Sequence, residues 1–256
     1  MLHRRAMGIL AALALFGATQ AVRADEPAPE PRFSFAGMTL AEAIAAPDPA
    51  LDVIKRPQIE IRRIVNVPVK DVRGPGTWRT TLDQVHRLSH AADVDQTALL
   101  DALKARADSL PPPYLFEISR REMETDTPAG LRWLALGQLR TVYDGLRCAD
   151  PSVEANIPAT MIDLHPVSEE ARDASYRRAE IYADALRKLT AGDAVFAGSA
   201  SPWWICSSGI AALRAARDGR ELARSDWLKP EAAWPRARAV TLDNAQLRLI
   251  EAMSGQ

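Results

Sequence analysis

Only two cysteines occur in the 256 residues, and they do not form a Cys-x-x-Cys pair. A thioredoxin-like redox motif is thereby excluded. No His-Glu-x-x-His sequence is present, because Arg87 follows His86 where a zincin places its catalytic glutamate. No Gly-x-Ser-x-Gly elbow occurs either: Gly198-Ser199 lacks the spacing and the closing glycine. No complete cofactor or phosphate-binding motif is found. Positive charge is not in excess, with 32 Lys and Arg against 33 Asp and Glu. The chain therefore lacks the concentrated basic face that nucleic acid requires, and gives no strong attraction to an anionic membrane. Past the first 24 residues there is no further membrane-length apolar run, so stable membrane insertion is not expected.

What is present suits a folded protein. Apolar residues make up 47% and charged residues 25%, ordinary values for a globular chain with a core of useful size. The chain opens with the order of a secretory signal. Met1 to Arg5 is basic, Met7 to Ala18 is unbroken apolar and small residues, and Val22-Arg23-Ala24 offers small residues at the two positions a signal peptidase reads. The run falls short of the roughly 20 residues that a bilayer span needs, which argues against a retained anchor. Asp25, not cysteine, follows the expected cut, so no lipid anchor is implied. Residues 1–24 are thus read as a cleaved signal peptide, 25–36 as a flexible mature N-terminus and 37–256 as a single helical domain. The product is placed in the periplasm or outside the cell. Three of the bases and none of the acids lie in the first 24 residues, so the mature chain is mildly acidic.

Along the mature chain, Thr39 and Glu42 have capping-box spacing for a short helix ending at Pro47. Residues 57–72 alternate instead. Ile59, Ile61, Val65, Val67 and Val69 share one face, predicting one short β segment, with Pro68 arguing for a sheet edge. From residue 78 the spacing is helical. Leu100, Leu103, Ala107 and Leu110 predict a helix over 94–109, and Pro111 to Pro113 end it and start another over 114–124. Thr127-Pro128 predicts a cap and first turn for a long helix to Cys148, whose apolar face is Leu131, Leu134, Ala135, Leu139, Val142 and Leu146. Asp150-Pro151 is read as its stop. Further helices are expected over 168–189 and 203–217, with an irregular stretch from Trp227 to Pro235. Thr241 is expected to cap a last helix to Met253, with Leu242, Leu249 and Ile250 apolar. The fold class is therefore mainly α: an irregular multi-helix domain built around the 114–148 αα-hairpin.

The Ile118, Trp133 and Leu136-Gly137 positions of that hairpin resemble a single tetratricopeptide or Sel1-type unit. The resemblance covers about 35 residues, one repeat length. No second copy follows at that period, and a repeat array needs neighbours, so the chain is not assigned to a family on it.

In an oxidising compartment two cysteines pair, which predicts a Cys148–Cys206 bond. Closing a loop of that length stabilises by roughly 4 kcal/mol in the chain-entropy picture. The rival reading is a nucleophilic Cys206 near a helix N-terminus, with His165 as base. His86 and His90 lie four apart with Asp83 on the same helical face, spacing that zinc sites use, but no third ligand is indicated beyond Asp83. Ser199, Ser201, Ser207 and Ser208 suit loop and cap positions. Glu117, Glu122, Glu124 and Asp126 are acidic enough for acid–base work and read as a solvated face. Trp203, Trp204, Trp227 and Trp234 crowd the C-terminal third and are the candidate binding surface.

Together these features predict a non-catalytic helical protein, binding or scaffolding a protein partner in the cell envelope, with no cofactor and no metal assigned. The alternatives are a hydrolase with an inconspicuous Ser or Cys and His site, and a carbohydrate-binding module using the tryptophans. The pairing is tested by alkylation. Neither thiol should take iodoacetamide in the folded, unreduced protein, and both should after reduction. Labelling of Cys206 alone before reduction would overturn it.

Overall fold

The computed structural model describes residues 32–33, 38–39, 72, 74–91, 95–164 and 173–254. The signal segment, the helix expected between Thr39 and Pro47, all but the last residue of the expected 57–72 strand, and His165 lie outside the described residues. Arg32–Phe33 (β1), within the stretch expected to be flexible, pairs antiparallel with Met38–Thr39 (β2). The chain is mainly helical, as the periodicity predicts.

Helix α1 is Trp78–Ser89. Thr77 starts it with a reciprocal cap: its Oγ1 accepts from Thr80 N, and its own N–H donates to Thr80 Oγ1. Helix α2, Gln96–Ala105, is capped by Asp95, whose carboxylate takes the Thr97 and Ala98 N–H groups at 3.0 Å each. It is shorter than the expected 94–109. Leu99 and Leu103 are its fully buried positions, while Leu100 is only partly covered.

Helices α3 (Pro112–Met123) and α4 (Thr127–Arg147) form the expected hairpin at the centre of the molecule. Pro112 and Pro113 occupy the first turn of α3, where a missing N–H costs nothing. The cap of α4 is Asp126, accepting from Ala129 N at 3.0 Å, so Thr127 is already helical rather than the cap. The two helices approach closely because Gly130 and Gly137 face α3. A Cβ on Gly130 would lie 2.4 Å from Met123 Sδ, and one on Gly137 3.3 Å from Phe116. Ser119 Oγ donates to the Gly130 carbonyl at 2.7 Å across this seam. The six apolar positions expected on α4 are all buried, and so are Arg140, Thr141, Asp144 and Arg147 on its polar side.

Helix α4 ends at Arg147 with Cys148 extended, close to the expected stop, and Asp150-Pro151 has a second role. It starts α5, Pro151–Asp163, with proline in the first turn and Asp150 Oδ1 accepting from Ser152 N at 2.9 Å. A short helical segment at 173–177 leads to α6, Ala179–Thr190, which buries Tyr182, Ala185, Leu186 and Leu189. The expected 203–217 helix is two: α7, Trp203–Cys206, and α8, Ile210–Arg217. They break at Gly209, where a Cβ would lie 2.7 Å from Asp150 Oδ2. A helical turn α9 (Arg224–Trp227) leads into the stretch expected to be irregular, which holds a 3-10 turn (Glu231–Ala233).

The last helix, α10, runs Trp234–Ser254, so it begins seven residues before the expected cap. Thr241 lies inside it, fully buried, donating to the Ala237 carbonyl at 2.8 Å. Its buried positions are Ala237, Thr241 and Ala245, small side chains four apart. Ile250, one of its apolar positions, is 57% exposed.

Asp150 holds two helix starts at once. Besides Ser152, it takes the Ala211 N–H of α8 on Oδ2 at 2.6 Å. Burial alone would raise its pKa, but these N–H groups and Arg214 outweigh burial and hold the carboxyl below the usual range. Asp150→Ala should therefore destabilise by about 2 kcal/mol, roughly one per cap, in urea unfolding at neutral pH. A depressed carboxyl contributes stability above its unfolded pKa of about 3.9 and loses it as pH falls through the folded value. The gap between wild type and variant should accordingly narrow below pH ~4.

Candidate functional site

The paired cysteines lie at one end of the hairpin. Cys148 caps α4 and Cys206 is the last residue of α7, with Cα atoms 5.3 Å apart and Sγ atoms bonded. Both are buried, which removes Cys206 from nucleophilic chemistry. Beside them Asp144 is sealed from solvent. Trp204 Nε1 donates to its Oδ2 at 2.7 Å, and Arg147 pairs with its Oδ1. Burial pushes the Asp144 carboxyl up, while Arg147 and Trp204 pull it partly back. Arg147 also lies over the faces of Tyr143 and Trp234, 4.4 and 5.0 Å from their centroids.

The four tryptophans consequently do not form one platform. Trp204 has no exposed surface, because its indole is the donor to the buried carboxylate and stacks on Trp78 at 5.7 Å. Trp203 and Trp227 pack on each other at 4.9 Å, and Trp234 Nε1 donates to the Lys229 carbonyl at 3.0 Å. The serines are likewise committed. Ser207 Oγ accepts the Trp78 N–H at 2.7 Å, Ser208 Oγ donates to the Ile205 carbonyl at 2.7 Å, and Ser201 Oγ accepts from Trp203 N at 3.3 Å. Ser199 Oγ reaches the Asp108 carbonyl at 3.2 Å.

The opposite end of the hairpin holds an open cleft of about 620 Å³ between the end of α1, the start of α2 and the end of α3. Its back wall is built from α3, where Glu117, Arg120, Arg121 and Glu124 follow at i, i+3, i+4 and i+7 and so share one face. The expected solvated row of acids is only half so. Glu124 and Asp126 are exposed, but Glu122 is buried against Lys104 at 2.6 Å, and Glu117 is 0% exposed.

Glu117 survives burial because it accepts three charge-assisted hydrogen bonds. Arg120 reaches both of its oxygens at 2.9 Å, and Arg121 Nε reaches Oε1 at 2.6 Å. Arg121 then ties the cleft together. Its Nη2 donates to the Leu88 carbonyl of α1 at 2.7 Å, and its Nη1 donates to Gln96 Oε1 of α2. Gln96 Nε2 in turn donates to the Ala91 carbonyl at 2.7 Å. Arg120, whose side chain is 27% exposed, lines the cleft and reaches Glu124 through Nη1 at 3.2 Å. Thr97 and Thr125 add hydroxyls at the rim, and Leu100 an apolar patch. This mixture of fixed donors, acceptors and a small apolar area suits recognition of a polar chain.

His86 and His90 do come together: their rings stack with centroids 4.2 Å apart, and His90 lines the cleft. Asp83 pairs with Arg79 at 3.6 Å. Among the described residues, no group of three His, Cys, Asp or Glu side chains converges to hold a metal ion. No helix among the described residues is long and apolar enough to cross a membrane.

Comparison with known proteins finds no match: no family model, no curated protein and no solved structure is similar to this chain.

Because Glu117 neutralises two guanidinium groups in a dry setting, Glu117→Ala should destabilise by about 3–5 kcal/mol in urea unfolding. Glu124→Ala, which removes the exposed partner of the same arginine, should change stability by about 1 kcal/mol or less.

Proposed function

We propose that this protein is exported and acts without catalysis, binding or scaffolding a protein partner in the cell envelope. The location is supported by the N-terminal signal pattern and by the buried Cys148–Cys206 bond, since such bonds persist in oxidising compartments. The observation that carries the binding reading is the cleft between α1, α2 and α3. Its walls are fixed before any ligand arrives, because Arg121 bonds to all three helices at once. Preorganisation of this kind lowers the entropy that ordering a binding surface would otherwise cost. Arg120 is partly exposed and amphipathic, the type of side chain enriched at contact hot spots. The occupant that suits the cleft is an extended polar segment of another protein, offering both carbonyl and N–H groups.

A photo-crosslinking amino acid placed at Thr97 or Thr125, on the cleft rim, tests this in the chain's own export host. Both positions should give a discrete adduct with an envelope protein. The same group at Glu221, exposed but outside the cleft, should give none. Equal adducts at all three positions, or no adduct at the rim, would reject the cleft as the contact site.

A further inference from the structure

We propose that the Cys148–Cys206 bond is a redox device acting on the cleft from the opposite end of the hairpin, with α1 carrying the effect. The proposal rests on the cleft being the contact site and names what governs that site.

It starts from α7, the four residues Trp203–Cys206. A single helical turn does not hold its own conformation in water, so the place of α7 is set by what ties it to the rest of the chain. The covalent tie is the bond from Cys206 to the end of α4. The hydrogen bond from Trp204 Nε1 to Asp144 at 2.7 Å depends on where that bond puts the indole.

Helix α1 begins on α7. The Trp78 N–H, one of those a helix start leaves without an internal partner, donates to Ser207 Oγ at 2.7 Å, and the Trp78 ring stacks on Trp204. At the other end of α1, Ser89, His90 and Ala91 line the cleft, and the Leu88 carbonyl accepts from Arg121 Nη2 at 2.7 Å. A displaced α7 therefore unseats the start of α1, and a packed helix of 12 residues passes the shift to its far end.

The chemical step is thiol–disulfide exchange with a dithiol reductant. One reductant thiolate attacks a sulfur of the bond and displaces the other, and the second thiolate resolves the mixed disulfide. The electron pair and two protons end on Cys148 and Cys206 as thiols, and the reductant leaves as a disulfide. Both sulfurs are buried, so the reductant gains access when the α7 segment opens locally, the movement that also unseats α1. The reduced state is accommodated: Cys148 Sγ lies 3.5 Å from the Asp144 carbonyl, which can accept the new S–H.

Amide hydrogen exchange of the full chain, read by mass spectrometry with no partner present, tests the coupling. In the Cys148→Ala, Cys206→Ala double variant, residues 85–91 should exchange about tenfold faster or more relative to residues 179–190 of α6, which report global stability. Ser207→Ala keeps the disulfide and removes the acceptor of the Trp78 N–H; it should speed 85–91 about fivefold against the same reference. Equal acceleration of both stretches in the double variant would make the bond a plain staple and overturn the device. Unchanged exchange at 85–91 in Ser207→Ala would overturn it too, and that variant alone decides if the double variant loses its far-UV helical signal. The rim adduct at Thr97 should fall about tenfold in the double variant. An undiminished adduct overturns redox control of binding. No adduct even in the oxidised chain rejects the cleft as the contact site, a failure that the exchange data separate from a failure of the coupling.

Discussion

The last part of α4, from residue 139 on, is buried on every side, and its charged side chains near the C-terminus are paired around one carboxylate, Asp144. Trp204 from α7 and Arg147 from the next turn of α4 both bond to it, and the adjacent Cys148–Cys206 bond holds α7 in the position where the indole can reach. The rest of that end follows from the same arrangement. Trp234 opens α10 by covering the Arg147 guanidinium, and the chain at 227–229 runs alongside the end of α4. There Ala149 N donates to the Trp227 carbonyl at 2.9 Å, Lys229 N donates to the Arg147 carbonyl at 2.8 Å, and the Lys229 ammonium takes the Leu146 carbonyl at 2.9 Å. Carbonyls that a helix C-terminus leaves open are thus closed by a cation and by extended backbone.

Arg140 does the equivalent work midway along α4. Its guanidinium bonds to the Ala107 carbonyl at 3.0 Å, to Asp108 at 2.6 Å and to the Ala194 carbonyl at 2.7 Å. Two loops that are far apart in sequence are held on one side chain. These contacts explain why α4 stays buried at Arg140, Asp144 and Arg147, three charged positions of one helix. Each charge there has a specific acceptor or donor, so burial does not leave it isolated.

The sequence shows the hairpin because its signals are local: prolines in first turns and apolar residues at helical spacing. It shows the disulfide because only two cysteines exist. The differences lie in long-range and capping contacts that local pattern does not carry. Periodicity identifies the apolar side of a helix but not whether other elements cover the polar side, so Glu117 and Glu122 read as solvated when they are buried. Asp150-Pro151 has the same composition as a stop and as a start. What decides is whether the carboxylate finds N–H groups to cap, and one of these comes from residue 211. Thr241 fits a cap by type, yet its hydroxyl bonds back to Ala237 within a helix already begun at Trp234. The cleft was not legible at all, since its defining bonds join residues 88, 96, 117 and 121 across three helices.

Helix α1 connects the two ends of the molecule. At its start, the Trp78 N–H is bound by Ser207 Oγ and the Trp78 ring stacks on Trp204, so it rests on the segment that the disulfide secures. At its finish, the Leu88 carbonyl is bound by Arg121, whose charge is balanced by Glu117. A rod of 12 residues anchored by polar contacts at both ends has little freedom to slide or turn about its axis. The direction in which His86 and His90 project, and the width of the cleft that His90 borders, are therefore set by contacts at the two ends of α1 that neither histidine makes.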